Sequence, residues 1–392
     1  MPSLLQSNEA PPTMVELEAD GSEPVNFDLT EDEEMLKALA ERFVVDQYDI
    51  DRRRAYVATD EGFGRENWAL LGELGLIAAP FAEEHGGLGL DATGIATVFE
   101  ALGKGLVVEP LIDAVLLAGR LFAATAPEAL AAQWIEGLLA GHKRLALAHA
   151  ETGSRDGSLW VETSATSQGD VATLTGTKAY VVAGAGADGY VVSARTGGSP
   201  GDDDGLGLYF VEAGAAGLTA TRWRVADGSV AVSLTLDAVP AVALSGGIAQ
   251  IEEVEQVASL ARSAEAVGIM QRLFDETLEY LRTREQFGTP LGQFQAIQHR
   301  MAAQYTALEQ ARALLNYAMV TQGTPEFASA VRGVRAFVAP AALELGHEMI
   351  QFHGGMGVTD ELIIGHGHKR LLVISRWPDS PEAALDAYAN AA

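Results

Sequence analysis

Two glycine-bearing turns carry the residues of this chain most suited to gripping a phosphorylated ligand. The first, Arg284-Glu285-Gln286-Phe287-Gly288, lies in the segment Leu281 to Arg300 between two long amphipathic patterns. The second, Gln351-Phe352-His353-Gly354-Gly355-Met356-Gly357, follows further along the chain. Arg284 supplies a planar, forked cation that matches diphosphate oxygens. Gly288, Gly354, Gly355 and Gly357 lack the side chains that would hold backbone away from a bulky ligand. That chemistry is binding. A reaction would also need an acid or base within reach of the bound group.

The elements that must position these turns can be read from composition and periodicity. At 392 residues, of which 48% are hydrophobic, the chain can bury a large core in two or three domains or one composite unit. Acidic residues number 54 against 26 basic ones, a formal charge of -28. A field of that sign repels nucleic acid and anionic membrane. It also opposes an anionic small-molecule ligand at long range, although salt confines the effect to about 8 Å. With no cysteine, disulfides, thiolate metal sites, iron–sulfur clusters and cysteine nucleophiles are excluded. The amino terminus has neither the basic region nor the apolar region of a secretion signal. No apolar run reaches the roughly 20 residues of a spanning helix. The expectation is a cytoplasmic protein.

Residues 1–26 read as a disordered acidic tail. Thr30-Glu31-Asp32-Glu33 is a capping box that opens the first helix, and its acids suit the helix dipole. Helical periodicity runs through Leu36, Leu39 and Phe43, through Trp68 to Leu74, and again from Thr93 to Ala140. Near Arg144 the pattern changes to short β-branched runs at 171–174, 190–192, 208–211 and 230–236, separated by turn residues. No helix-length pattern interrupts them, which predicts an antiparallel sheet, barrel-like or sandwiched. From Glu252 three or four long helices follow, over about 254–284, 292–321, 325–350 and from about 365. The fold class is therefore α+β: an N-terminal helical domain (27–143), a middle antiparallel β domain (144–248) and a C-terminal four-helix bundle (249–392).

Gly184-Ala185-Gly186-Ala187-Asp188-Gly189 matches the spacing of a dinucleotide fingerprint. Such a fingerprint must follow a strand and open a helix. Here the next run, Tyr190-Val191-Val192-Ser193, reads as a second strand, so no helix dipole would face a pyrophosphate. The motif is read as a tight β-connection.

The two turns, in order and within a helical, β, helical chain, resemble the FAD-clamping signature of the acyl-CoA dehydrogenase family. Arg284-Glu285-Gln286-Phe287-Gly288 continues into Pro290-Leu291, Phe294-Gln295 and His299, and Gln351-x-x-Gly354-Gly355-x-Gly357 into Thr359 and Glu361. Trp68-x-x-Leu71-x-Glu73-Leu74-Gly75-Leu76, with Pro80 and Gly86-Gly87-x-Gly89, is similar to the family's amino-terminal domain. The resemblance implies FAD bound across a subunit interface. The β domain of one subunit cradles the flavin ring while its neighbour's turns hold the diphosphate and adenosine. Arg284, Gln286 and Phe287 would then contact the diphosphate or adenine portion, and Gln351, Gly354 and Gly355 would pack near the diphosphate and ribose. The implied reaction is α,β-dehydrogenation of an acyl-CoA thioester, with an electron-transfer flavoprotein as a possible acceptor.

The chain departs from the family where the chemistry would occur. The family's base is a glutamate at one of two positions. One is matched by Ala258, ten residues before Gly268, and the other by Pro378, 24 residues past Gly354. A one-residue shift would bring in Asp379, which reads equally well as a solvated helix boundary. The flavin-facing hydroxyls expected before Glu151 and after Tyr180 are replaced by Ala150 and Val182. No catalytic residue is therefore assigned. The groups given to a neighbour's FAD are intact and those for the chain's own flavin are depleted. The pattern resembles a base-lacking subunit of a heteromeric member, completing the cofactor site of a base-carrying relative. Thr359-Asp360-Glu361 and Lys369-Arg370 are similar to the small subunit of pimeloyl-CoA-type dehydrogenases, but Ser375-Arg376-Trp377-Pro378-Asp379 replaces the familiar closing turn. A homomeric enzyme with a relocated carboxylate, and a silent acyl-CoA-binding scaffold, remain as alternatives.

Other polar residues read as structural. His366-x-His368 has no evident third ligand and its two positions do not share a helix face, so no metal site is assigned and a surface or interface role is expected. His299 is expected at the bundle surface and His149 as a polar strand residue. Arg262 fits either the thioester's phosphates or an interfacial ion pair.

Overall fold

The computed structural model describes residues 29–154, 159–168, 171–202 and 204–391. The expected acidic tail, 1–26, lies outside them. Thr30 forms the capping box anticipated from sequence: its amide donates to Glu33 Oε2 at 2.7 Å and its Oγ1 accepts from the Glu33 amide at 3.3 Å. Two more of the backbone donors left over at a helix start are thereby satisfied. This box begins α1 (Glu31–Gln47), followed by α2 (Ile50–Ala58), α3 (Arg65–Glu73) and α4 (Ala92–Lys104). The helical stretch expected to reach Ala140 is broken into a π-helix (Ile112–Gly119), α5 (Arg120–Thr125) and α6 (Glu128–Leu139).

The β region consists of β1 (Leu145–Ala148), β2 (Ser164–Gln168), β3 (Val171–Val182), β4 (Gly189–Arg195), β5 (Leu206–Glu212), β6 (Leu218–Arg224) and β7 (Val230–Ala243). The ring β4-β2-β3-β7-β5 closes through β4–β5 pairing, with β1 added beside β4 and β6 beside β7. Most pairings are antiparallel, as expected, but β1 runs parallel to β4, Leu145 opposite Gly189, and β2 touches β4 in the same sense. This corrects the all-antiparallel expectation. β1 enters directly from the helical layer and cannot turn back as a hairpin. Parallel pairing suits β4 because all seven of its residues are buried. The Gly184–Gly189 motif connects β3 to β4, so a strand rather than a helix follows it.

The C-terminal helices are α7 (Ile248–Thr283), α8 (Gln295–Val320), α9 (Phe327–His353), α10 (Ile363–Arg376) and α11 (Pro381–Ala391); a two-residue hairpin, β8 (Glu285–Gln286) and β9 (Thr289–Pro290), separates α7 from α8. α7 crosses α4 at two glycines. A Cβ on Gly103 would strike the carbonyl of Glu265, and one on Gly268 would strike the carbonyl of Glu100. Only glycines permit that approach. Phe210 of β5 packs on Trp134 at 4.7 Å and on Phe122 at 5.4 Å between ring centroids. These aromatics join the amino-terminal helices to the sheet in one continuous core.

A charged network ties the layers together. Arg370 of α10 donates through Nε and Nη2 to the two carboxylate oxygens of Glu265 on α7, at 2.6 and 2.9 Å. Its Nη1 reaches Asp227, in the turn between β6 and β7, at 3.1 Å. The carboxylates hold Arg370 well above its ordinary pKa despite its burial. Beside it, Arg53 of α2 donates to the Leu106 carbonyl at 3.1 Å and to His366 Nδ1 at 3.0 Å. His366 Nε2 faces the Asp360 carbonyl at 3.2 Å. These partners assign the proton to Nε2 and leave Nδ1 as acceptor.

Of the surface or interface role expected for His366, the surface position is wrong: the residue is 7% exposed. His368 is also largely covered, and its ring lies 4.6 Å from that of His347. The error arose because the pattern of α10 gave no sign that α2 and α9 close over it. His299 is exposed on α8 as expected.

Replacing Arg370 with methionine strands two carboxylates, and the loss should be about 3–5 kcal/mol, read from urea unfolding midpoints. Burial holds His366 below its ordinary pKa of 6.5, and Arg53 adds to that. The unfolded chain therefore binds this proton more readily than the folded one. Stability from this residue is complete above pH 6.5 and declines as pH falls from there through the depressed folded value. The unfolding temperature of H366Q should depend less on pH between about 6.5 and 5 than that of the parent; equal slopes would contradict the assignment.

Candidate functional site

The sequence-selected residues divide between two places. The first is the pair of turns. Arg284 caps α7, its amide donating to the Tyr280 carbonyl at 2.8 Å and its carbonyl accepting from the Leu291 amide at 2.8 Å. The chain then reverses through Phe287 and Gly288, at φ values of 56° and 77°. A bulky non-glycine residue in the left-handed region is strained, and Phe287 is also 93% exposed. Its ring has an edge-to-face contact with Phe294, 6.3 Å between centroids, and otherwise projects outward.

Arg284 and Gln286 are exposed as well. Among the described residues Arg284 has no carboxylate partner. In the second turn Gln351, Gly354 and Gly355 are exposed, and a Cβ on Gly355 would meet no atom within 4 Å. Gly355 has no positive φ to require glycine. The space it leaves open is useful only to something outside this chain. An unpaired guanidinium, an outward aromatic and open glycine backbone fit the diphosphate and adenosine of FAD in type.

The second place is a cavity of about 930 Å³ between the sheet and the C-terminal helices. Ala150, Val182 and Pro378 line it, so three of the four positions that the resemblance compares with flavin-facing hydroxyls and a base face this space. Ala258 is fully buried within α7. None of the six clamp residues lines the cavity. Within one copy of the chain the two sequence-selected groups of residues therefore lie apart.

Charged groups lie in and behind a largely apolar cavity wall. On the sheet side Lys178 Nζ donates to Glu151 Oε1 at 2.7 Å, to Ser193 Oγ at 3.0 Å and to the His149 carbonyl at 3.2 Å. Burial draws the Lys178 ammonium down to about 8. Burial alone would raise Glu151, but Lys178, the Thr163 hydroxyl and the Glu162 amide outweigh it and hold the carboxylate below its ordinary range. Both groups are therefore charged at neutral pH. His149 Nδ1 lies 2.8 Å from Ser193 Oγ, which places it in this network.

On the helix side Arg262 is an ion pair within the chain. It bonds Glu255 and reaches Asp113 at 3.3 Å, with 4% of its side chain exposed. Burial pushes the Glu255 carboxyl above its ordinary range, against the pull of Arg262. Asp379, the shifted-base candidate, is held by Arg335: Nε to its Oδ1 at 3.1 Å and Nη2 to its carbonyl at 3.0 Å. Arg335 also binds the carbonyls of Ile374 and Trp377, at 2.6 and 3.1 Å. Asp379 is thus structurally engaged and is a weak base candidate.

Two features here had been missed. Glu255 lies one helical turn before Ala258, and that spacing could have flagged it. Trp377 packs on Tyr180 in a tilted contact, with ring centroids 4.2 Å apart and planes at 46°. Nothing local in the sequence signals that contact between distant residues. Rings at that separation leave no room for a flat third ring between them, which requires twice the usual aromatic spacing.

With this geometry in view, comparison with known proteins identifies its kin. The acyl-CoA dehydrogenase N-terminal domain model matches residues 30–142 and the C-terminal domain model matches 245–378. Acyl-CoA dehydrogenase FadE27 of Mycobacterium tuberculosis is 29% identical over 86% of this chain and 90% of its own length. Among solved structures, the Tcur3481–Tcur3483 steroid ACAD, in a variant form, is 30% identical, covers 92% of this chain and 97% of its own, and gives a TM-score of 0.82. The ChsE4–ChsE5 complex of Mycobacterium tuberculosis is 25% identical over 93% of this chain and 98% of its own, with a TM-score of 0.83.

Proposed function

Because the chain belongs to the acyl-CoA dehydrogenase family, a family of FAD-dependent oxidoreductases, we propose that it is the base-lacking, clamp-donating subunit of a heteromeric member. The observation that carries this reading is the separation of an intact clamp from a depleted cavity. Arg284, Gln286, Phe287, Gln351, Gly354 and Gly355 are all exposed, and among the described residues Arg284 has no carboxylate partner. The cavity has alanine and valine where hydroxyls would face a flavin, and a tyrosine–tryptophan contact across part of its width.

In the assembled enzyme, Arg284 would bind the diphosphate of the FAD seated in the partner subunit, in the geometry a guanidinium offers to paired oxygens. Phe287 would cover the adenine portion, and Gly354 and Gly355 would let backbone approach the diphosphate and ribose. Bound FAD supplies the acceptor for the hydride that leaves the β carbon of an acyl-CoA thioester. The proton on the α carbon would go to a carboxylate of the related, base-carrying subunit. An electron-transfer flavoprotein is the proposed onward acceptor. Two-fold symmetry would relate paired heterodimers. No helix among the described residues is long and apolar enough to cross a membrane.

The full-length chain purified alone should be colourless. Co-expressed with a related chain bearing glutamate at either base position, it should yield a yellow complex that bleaches with an acyl-CoA. Yellow protein from this chain alone, bleaching with the same thioester, would sink the heteromeric reading. In the complex, Arg284→Ala should weaken FAD binding about 10- to 100-fold, the loss of a charge-assisted hydrogen bond or two.

One observation favours a second reading, a homomeric enzyme with a relocated base. Glu255 lines the cavity, is 28% exposed, and has a carboxyl raised by burial toward the range useful for proton transfer. On the leading reading, E255Q leaves turnover of the assembled enzyme within about threefold, whereas removal of a working base costs about 10² to 10⁴. Acyl-CoA-driven bleaching rates, compared at equal flavin content, decide between the two.

A further inference from the structure

The two clamp turns hang from different helices, the first from the end of α7 and the second from the end of α9. Grip on one diphosphate requires that their separation be fixed. Direct contact between them is made at their roots. The rings of Tyr280 and His353 stack with centroids 4.3 Å apart and planes 23° from parallel. Tyr280 is the residue whose carbonyl receives the Arg284 amide at 2.8 Å. His353 is the last residue of α9, immediately before Gly354.

The His353 ring is held from behind. His353 Nδ1 lies 2.9 Å from the Met349 carbonyl, one turn back on its own helix, so it carries the proton and donates. Gly357 folds back so closely that a Cβ there would lie 3.2 Å from that of His353. His353 is 7% exposed, so neither turn can swing without displacing a packed ring. On the outer side, Arg300 of α8 binds Glu348 of α9 through two bonds of 2.6 and 2.7 Å, and its guanidinium lies over Phe352 at 4.8 Å. That brace steadies α9 but touches only the second turn.

We propose that Tyr280 and His353 are positioning residues, and that their stack sets the spacing between the Arg284 turn and the Gly354–Gly355 turn for FAD. The proposal rests on the reading that these turns clamp FAD. A displacement of either turn by a fraction of the stack's thickness would leave Arg284 or the glycine backbone out of reach of its phosphate oxygens, because hydrogen bonds weaken steeply with distance and angle. An aromatic ring at position 353 is what the device needs; a titrating imidazole is not.

The test uses the flavin-binding oligomer that contains this full-length chain, stripped of flavin and titrated with FAD. His353→Ala should raise the FAD dissociation constant about tenfold, as loss of an aromatic pair implies, and Tyr280→Ala should do the same. His353→Phe, which keeps the stack and loses the Met349 bond, should restore affinity to within about threefold of the parent. Unfolding temperatures measured without FAD separate this from general damage, since the rescue must appear in FAD affinity at matched stability. Parental affinity in His353→Ala would overturn the proposal. So would a His353→Phe variant that binds no better than His353→Ala. Arg284→Ala reports on the underlying reading: if it binds FAD normally, the clamp assignment itself fails, whereas its loss beside an unaffected His353→Ala removes only the positioning role.

Discussion

The Arg370 guanidinium, shared between Glu265 of α7 and Asp227 of the sheet, is the constraint on which the arrangement of layers depends. A buried charge is tolerated only when its hydrogen-bonding capacity is met, and these two carboxylates meet it from different layers. If α10 shifted along α7, one partner would be lost and the others left uncompensated. The same principle recurs nearby. Arg53 anchors α2 to the start of α10, Arg262 anchors α7 to the π-helix, and Arg335 anchors α9 to the segment 374–379. In a chain with a formal charge of -28, burying some acids against arginines removes them from mutual repulsion while cross-linking elements remote in sequence.

That remoteness explains which features could be read from sequence. The capping box at Thr30, the reversal at Phe287-Gly288 and the strand after Gly184–Gly189 are local: each is decided by residues within a few positions of one another. The helical, β, helical succession follows from periodicity, which is also local. By contrast, Arg370 and Glu265 are 105 residues apart, Arg370 and Asp227 are 143 apart, and no pattern around Lys369-Arg370 distinguishes a buried network from a solvated pair. The burial of His366 went unseen for the same reason. The parallel entry of β1 beside β4 depends on where the preceding helices deliver the chain, which strand propensity does not encode.

The candidate site shows the same division. The types and spacing of Arg284, Gly288, Gly354 and Gly355 suggested a ligand grip because arginine offers a forked cation and glycine an open backbone. The absent groups, at Ala258, Pro378, Ala150 and Val182, were visible only against a family pattern. The carboxylates that do face the cavity, Glu255 and Asp379, were ambiguous in sequence because their meaning depends on Arg262 and Arg335. A carboxylate with a dedicated arginine is first a structural group. Whether it also moves protons depends on how far burial offsets the arginine, and at Glu255 burial prevails and raises the carboxyl.

The exposure of the clamp carries the argument from fold to assembly. Folding gains nothing from a 93% exposed phenylalanine in a left-handed conformation, nor from an arginine without a carboxylate among the described residues of a chain with twice as many acids as bases. Left-handed backbone at a bulky residue is a cost that persists only where surroundings or function require it. The surroundings supplied by the described residues do not cover Phe287. A second subunit that brings its own half of the site would cover the aromatic and give Arg284 its anion. It would also make the local cation, rather than the distant acidic field, decide binding, because charges beyond about 8 Å are screened. A strongly acidic protein can therefore hold a diphosphate, provided that the cation nearest the ligand is kept unpaired until the partner arrives.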